Sequence, residues 1–258
     1  MPVTAVLEDA AFGDDPGRWP LPAAATPHDV WLRAVAAGGQ GRYGSAMADL
    51  ATLRRLQPGR LVSLAHSTHA SFLRQLGWHH KARGFDGRAL ALANDDPEAT
   101  ADALIGLAAD ALGVGRFAAS ARLLDQALLP EDSDRLPIRL AWVSAELAMA
   151  RGDGTTAVGH AHRAVDLAQD FGSARHAVKS QVVLAAALCS VGELDRSRKV
   201  ADDALQACDR LGMVPLRWAL ACLLVGIGGT VHSSTQVLAI RDKCADTVRR
   251  RGGVWSDR

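Results

Sequence analysis

The chain has 258 residues, 29 basic and 28 acidic side chains and a formal net charge of +1, with 48% apolar but only 5% aromatic residues. Balanced charge removes the positive field that recruits phosphate backbones or anionic membranes, so neither nucleic acid nor a bilayer is an expected partner. The length calls for two domains or one array of small units, and the Ala- and Leu-dominated composition suits packed helices better than strands.

In chain order, residues 1–27 are rich in Pro, Ala and Asp, lack a helical period and carry Glu8, Asp9, Asp14 and Asp15. They read as a disordered or strap-like arm. No basic residue precedes Arg18 and no apolar core follows, unlike a secretory signal. Five helical hairpins are expected at 28–58, 61–94, 97–129, 136–170 and 174–211, within a repeat region of 28–212. Pro97 and Pro137 fall in first helical turns, where a missing N–H is tolerated. Residues 213–258 read as a degenerate capping hairpin, 214–251, with a tail; Ser233 and Ser234 cap its second helix. Its apolar run, Leu220 to Gly229, is about half of the ~20 residues that cross a bilayer. Cys189, Cys208, Cys222 and Cys244 stand 19, 14 and 22 apart, which is neither a zinc knuckle nor a dense disulfide framework. Buried thiols in a reducing cytoplasm are expected.

A register runs through the five hairpins. Gly41, Gly77, Gly115, Gly152 and Gly192 lie 36, 38, 37 and 40 apart. Seven residues before each stands Ala34, Ala70, Ala108, Ala145 or Ala185; five after, Ala46, Ala82, Ser120, Ala157 or Ser197; twelve after, Leu53, Ala89, Ala127, Ala164 or Ala204. Antiparallel helices joined by a short turn approach closely where both present small side chains, and glycine ends the first helix in a left-handed cap.

The pattern Ala-x6-Gly-x-aromatic-x2-Ala, best matched around Gly41-Arg42-Tyr43 and Gly115-Arg116-Phe117, resembles the tetratricopeptide (TPR) repeat. The likeness covers about residues 28 to 212 and departs in two ways. The opening aromatic is replaced by Val30, His66, Leu104, Ala141 and Gln181, and the closing proline survives only as Pro58. A sixth unit is expected at Gly229, with Cys222 and Ser234 in the small positions. The resemblance implies an all-α, right-handed α-solenoid of antiparallel hairpins, here a single elongated one. It also implies a bacterial, cytoplasmic scaffold or adaptor that binds protein or peptide in a concave groove.

Family geometry places Trp31, Leu64, Arg74, Ile105, Arg139, Trp142, Glu146, Met149, Lys179 and Val182 in that groove. The lining is apolar and weakly cationic, suited to an acidic-hydrophobic peptide, with Trp142, Met149 and Ile105 as anchors. The acidic arm, with Phe12 and Trp19, complements the groove and could occupy it as a self-inhibitory strap. The apolar excess of the last hairpin (Trp218, Leu220, Leu224) is compatible with a homodimer. Two alternatives stay open: a small-molecule or metal-responsive sensor binding in the concave face, and an RNA-binding helical repeat. His66 and His69 share one helical face but lack correctly spaced further ligands, so no metal and no cofactor are expected. With no GxSxG, P-loop, GxGxxG or HExxH, no catalytic residue is assigned.

Overall fold

The structure is a computed structural model that describes residues 1–256. A leading helix, α1 (Val3–Phe12), precedes six antiparallel hairpins. These are α2 (Pro27–Gly39) with α3 (Tyr43–Leu53), α4 (Arg60–Gln75) with α5 (His79–Ala91), and α6 (Pro97–Gly113) with α7 (Phe117–Gln126). The remaining three are α8 (Arg135–Ala150) with α9 (Gly154–Phe171), α10 (Ala174–Ser190) with α11 (Leu194–Arg210), and α12 (Val214–Ile227) with α13 (Ser234–Arg250). No strand occurs among the described residues.

The register explains the hairpins. The five turn glycines have φ between +73° and +87°, a region that admits them without a Cβ clash. The N–H one residue beyond each glycine reaches back to a carbonyl of the ending helix, as from Arg116 to Ala111 at 2.8 Å and from Asp153 to Ala148 at 2.9 Å. Ala34, Ala70, Ala108, Ala145 and Ala185 are fully buried, and so are Ala46, Ala82, Ser120, Ala157 and Ser197 opposite them. Contact there is close enough for Ser197 Oγ to donate to the Ala185 carbonyl at 2.7 Å. In the sixth hairpin the frame differs by one residue from the sequence expectation. The left-handed glycine is Gly228 (φ +81°), and fully buried Ala221, rather than half-buried Cys222, fills the small position.

The expected elongated array is instead closed. Successive first helices turn steadily, and the sixth hairpin returns to the first. Gly44 N–H donates to the Arg251 carbonyl at 2.9 Å, Ser256 N–H to the Leu76 carbonyl at 2.9 Å and Arg251 to the Gln40 carbonyl at 2.6 Å. Trp78 Nε1 donates to the Val254 carbonyl at 2.7 Å, and Trp255 packs on Trp218 in a tilted pair with centroids 4.3 Å apart. Leu220 and Leu224 are buried inside the hairpin. The apolar excess that suggested a second copy is therefore covered within the chain.

Where composition suggested no regular structure, residues 3–12 form α1. It packs on both α2 and α10, burying Leu7, Ala10 and Ala11 across the seam between the first and fifth hairpins. The following loop continues the clasp. Gln40, itself buried, donates from Nε2 to the carbonyls of Pro16 and Arg18, both at 2.9 Å. Ala174 N–H reaches the Gly13 carbonyl at 3.2 Å.

Glycine permits this seam. A Cβ on Gly252, whose φ is +87°, would sit 2.8 Å from the backbone of Gly44, and one on Gly17 would sit 2.9 Å from the Leu211 carbonyl oxygen. Gly84, inside α5, has open space around it. Gly252→Ala is expected to destabilise by about 1–3 kcal/mol through strain and seam displacement. Gly84→Ala is expected to stabilise by about 0.5–1 kcal/mol. Urea unfolding of both variants, monitored by helical circular dichroism, checks the pair of opposite signs.

Candidate binding cavity

Closing the ring turns a concave groove into an internal hollow. The cavity, about 350 Å³, passes obliquely through the first helices. It meets α2, α4 and α6 in their last turns at Gly39, Arg74 and Leu112, and α8 along its middle at Arg139, Trp142 and Glu146. It meets α10 and α12 in their first halves at Arg175, Lys179, Val182, Leu216 and Trp218.

That obliquity sorts the expected residues. Arg74, Arg139, Trp142, Glu146, Lys179 and Val182 line one cavity. Leu64 and Ile105 do not: both are fully buried in cores between hairpins, because the cavity crosses α4 and α6 nearer their C-terminal ends. Met149 packs with Val183 and Leu184 in another core. Trp31 donates to Thr68 Oγ1 at 3.0 Å and opens onto a second hollow of about 580 Å³ at the opposite ends of the helices. Glu8, Phe12, His28, Asp96, Asp132 and Asp134 also line that hollow, giving it an acidic and aromatic rim. The N-terminal arm contributes Glu8 and Phe12 to that rim and none of the residues lining the central cavity.

An ionic chain runs from the second hollow, where Arg60, Glu98 and Arg135 lie, to Arg139 at the central cavity. Arg60 pairs with Glu98, Arg135 with Glu98 at 3.1 Å and Asp102 at 3.2 Å, and Arg139 with Asp102. Burial opposes the charge of Asp102, but Arg135 and Arg139 overcome it and hold the carboxyl below its usual range. Arg74 pairs with Asp86 and, at 3.0 Å, with Asp110. Burial lifts both carboxyls against the pull of Arg74, so the pair tends to share a proton, and the one negative charge that remains balances Arg74. Lys179 pairs with Glu146 at 3.2 Å and lies 5.7 Å from the Trp142 ring centre. Trp142 is held by a 2.9 Å bond to Ser180 Oγ and by stacking on buried His176.

The residue that sequence reasoning missed is Arg175. It lines the cavity beside Gly39, with its Nε enclosed and without a hydrogen-bond partner. A Cβ at Gly39 would come 3.1 Å from its Cδ, so the absence of a side chain there makes room for it. No carboxylate among the described residues pairs with it. Burial first, and repulsion from Arg135 and Arg139 second, push its guanidinium down to about 10. The 40-residue interval did not signal it: α10 begins 18 residues before Gly192, as α6 does before Gly115, and the added length lies in α9, while Arg175 sits in the first turn of α10, ahead of the assigned groove positions Lys179 and Val182.

His66 and His69 serve packing. His69 stacks on Phe85 with centroids 4.0 Å apart, and its Nδ1 accepts from Arg54 at 2.8 Å, which requires the neutral imidazole. No group of three His, Cys, Asp or Glu residues among the described ones is arranged to hold a metal.

No family profile matches the chain, and no curated protein matches it in sequence. Among solved structures it is similar to a Rap protein complexed with Competence and Sporulation Factor, with a TM-score of 0.66 at 13% identity. That match covers 88% of this chain and 64% of the Rap chain, so this chain spans under two thirds of that protein. It is also similar to NprR in complex with its cognate peptide NprX, with a TM-score of 0.64 at 13% identity over 96% of this chain and 75% of that one. At such identity the likeness concerns the fold. The chain is a divergent TPR-like helical-repeat protein, an all-α solenoid.

Burial pushes both His66 and His69 down to about 4, with Arg54 adding repulsion. In the unfolded chain their pKa returns to about 6.5. Unfolding therefore takes up protons between these values, and their contribution is complete above about pH 6.5 and lost as pH falls toward 4. Asp86 acts in the opposite direction over part of this window, so the test is a difference. The stability advantage of wild type over His69→Gln, from denaturant titrations at pH 7 and 4.5, is expected to be larger at pH 7.

Proposed function

We propose that this protein is a non-catalytic regulatory adaptor of the cytoplasm that binds a short acidic-hydrophobic peptide segment in the central cavity. The observation that carries this is the closed ring itself. It encloses an apolar lining of Leu112, Trp142, Val182, Leu216 and Trp218 together with Arg74, Arg139 and Lys179, each paired with a carboxylate, and Arg175, which is not. Cations in a partly desolvated hollow favour an anionic ligand, and the aromatic rings supply anchoring area. Two structural neighbours are described in complex with a factor and a cognate peptide respectively, which supports the reading through the shared fold. The four cysteines are free thiols, in keeping with a reducing compartment. No described helix is long and apolar enough to cross a membrane.

The cavity volume, about 350 Å³, favours one further reading. It stands at the lower end of the ~300–1,000 Å³ typical of small-molecule sites. A compact organic anion is therefore the alternative ligand, and a long amphipathic helix is a poor one.

Trp142 and Trp218 line the cavity, so their fluorescence reports binding. Titration with a library of short peptides is expected to select acidic-apolar sequences over basic ones. Lys179→Glu should weaken the selected peptides by about tenfold or more, as expected when one favourable charge becomes a repulsive one. Equal binding of acidic and basic peptides, or an unchanged affinity in Lys179→Glu, would remove the cavity as the site.

A further inference from the structure

Of the arginines and lysines that line the two hollows, Arg60, Arg74, Arg135, Arg139 and Lys179 are all paired with carboxylates. Arg175 differs. Its side chain lines the cavity with an enclosed, unbonded Nε, no carboxylate among the described residues pairs with it, and its cationic neighbours Arg135 and Arg139 already hold Asp102 between them. A desolvated charge without a counterion costs stability, and a purely structural position of this kind would be better filled by an apolar residue. Proteins keep such groups where the missing partner arrives with a ligand. The partner must be an acceptor-only anion, since a guanidinium donates through its planar fork and accepts nothing.

Gly39 lies beside Arg175, and the cavity they share is lined by the apolar Leu112, Trp142, Val182, Leu216 and Trp218 as well as by Ser71, Gln75 and the paired charges. A small anion carried on an apolar body fits that lining. A carboxylate meets both demands: it is planar, matches the guanidinium fork and can terminate an aliphatic chain. We propose that Arg175 is the carboxylate anchor of the cavity and takes the free α-carboxylate at the end of a peptide whose last side chain is apolar, or the same group of a branched short-chain acid. This rests on the cavity being the ligand site proposed above.

The test separates the anchor from that reading. In the first arm, thermal melts of the free protein compare wild type with Arg175→Met, which keeps the length of the apolar stem and removes the charge. The anchor predicts a higher melting temperature for the variant, whereas a lower one would show a structural role and overturn the proposal. In the second arm the probes are 4-methylpentanoate and its neutral amide. The acid is expected to raise the wild-type melting temperature, the amide to have no effect, and Arg175→Met to lose the response. A response that is equal for acid and amide, or that persists in Arg175→Met, would overturn it. Arg175→Lys, which retains charge without the fork, should keep a weakened preference for the acid, so that misfolding of one variant does not decide the outcome.

In the third arm, peptides selected by fluorescence are compared as free acids and C-terminal amides. A loss of about tenfold or more on amidation, matched by Arg175→Met, assigns the anion to a peptide terminus. Peptides that bind equally as acids and amides, while 4-methylpentanoate still responds, assign it to a small acid and retain the anchor while removing the peptide reading. Peptides that bind equally in both forms and in Arg175→Met, with no response to 4-methylpentanoate, retain the peptide reading and remove the anchor.

Discussion

The whole structure depends on how closely the two helices of each hairpin can approach. Ten fully buried Ala and Ser residues, one pair in each of the first five hairpins from Ala34 with Ala46 to Ala185 with Ser197, place one helix surface nearly on the backbone of the next. At such a crossing the side chains are too small to pack badly, and Ser197 bonds back to the Ala185 carbonyl; elsewhere between neighbouring helices Ser63 bonds to the Ala89 carbonyl and Ser180 to that of Ala164. Dispersion over these short separations supplies attraction that long side chains would hold off. Left-handed glycines fix the turn geometry, and six hairpins placed in the same way return on themselves.

Closure then determines what the interior can be. First helices inclined to the ring axis present their last turns on one side and their first turns on the other. The cavity wall thus samples Arg74 and Leu112 from late positions, and Arg175, Lys179 and Trp218 from early ones. The polar walls need compensation because they are desolvated, and the chain Arg60–Glu98–Arg135–Asp102–Arg139 links α4, α6 and α8. Such a network contributes orientation more than net stability, since each charge also loses its hydration. It leaves Arg175 as the point of unmet demand.

Much of this was legible in the sequence, and the limits have physical reasons. The hairpin turns and crossings depend on short-range sterics at fixed spacing, so Gly152 with Ala145 and Ala157 could be read directly. Ring closure depends on small angles accumulated over six hairpins, and no local pattern encodes it. An idealised repeat frame consequently placed Leu64 and Ile105 in the groove when the oblique cavity passes them by. Arg175 was missed because it lies in the first turn of α10, ahead of Lys179 and Val182, the first positions that the frame assigned to the groove. Helix α1 was missed because ten residues of Ala-rich sequence are marginal alone, and Leu7, Ala10 and Ala11 stabilise it only by packing on α2 and α10.

The central claim is that the hollow closed by the ring, not its outer surface, receives the ligand. Photo-crosslinking tests it most directly, with an acidic-apolar peptide carrying a diazirine on its last side chain and adducts mapped by mass spectrometry. Adducts on the last turns of α4 and α6, the middle of α8 and the first turns of α10 and α12, competed by unlabelled peptide, are the result expected of an interior site. Adducts confined to the outer helices α3, α5, α7, α9 and α11 would contradict it.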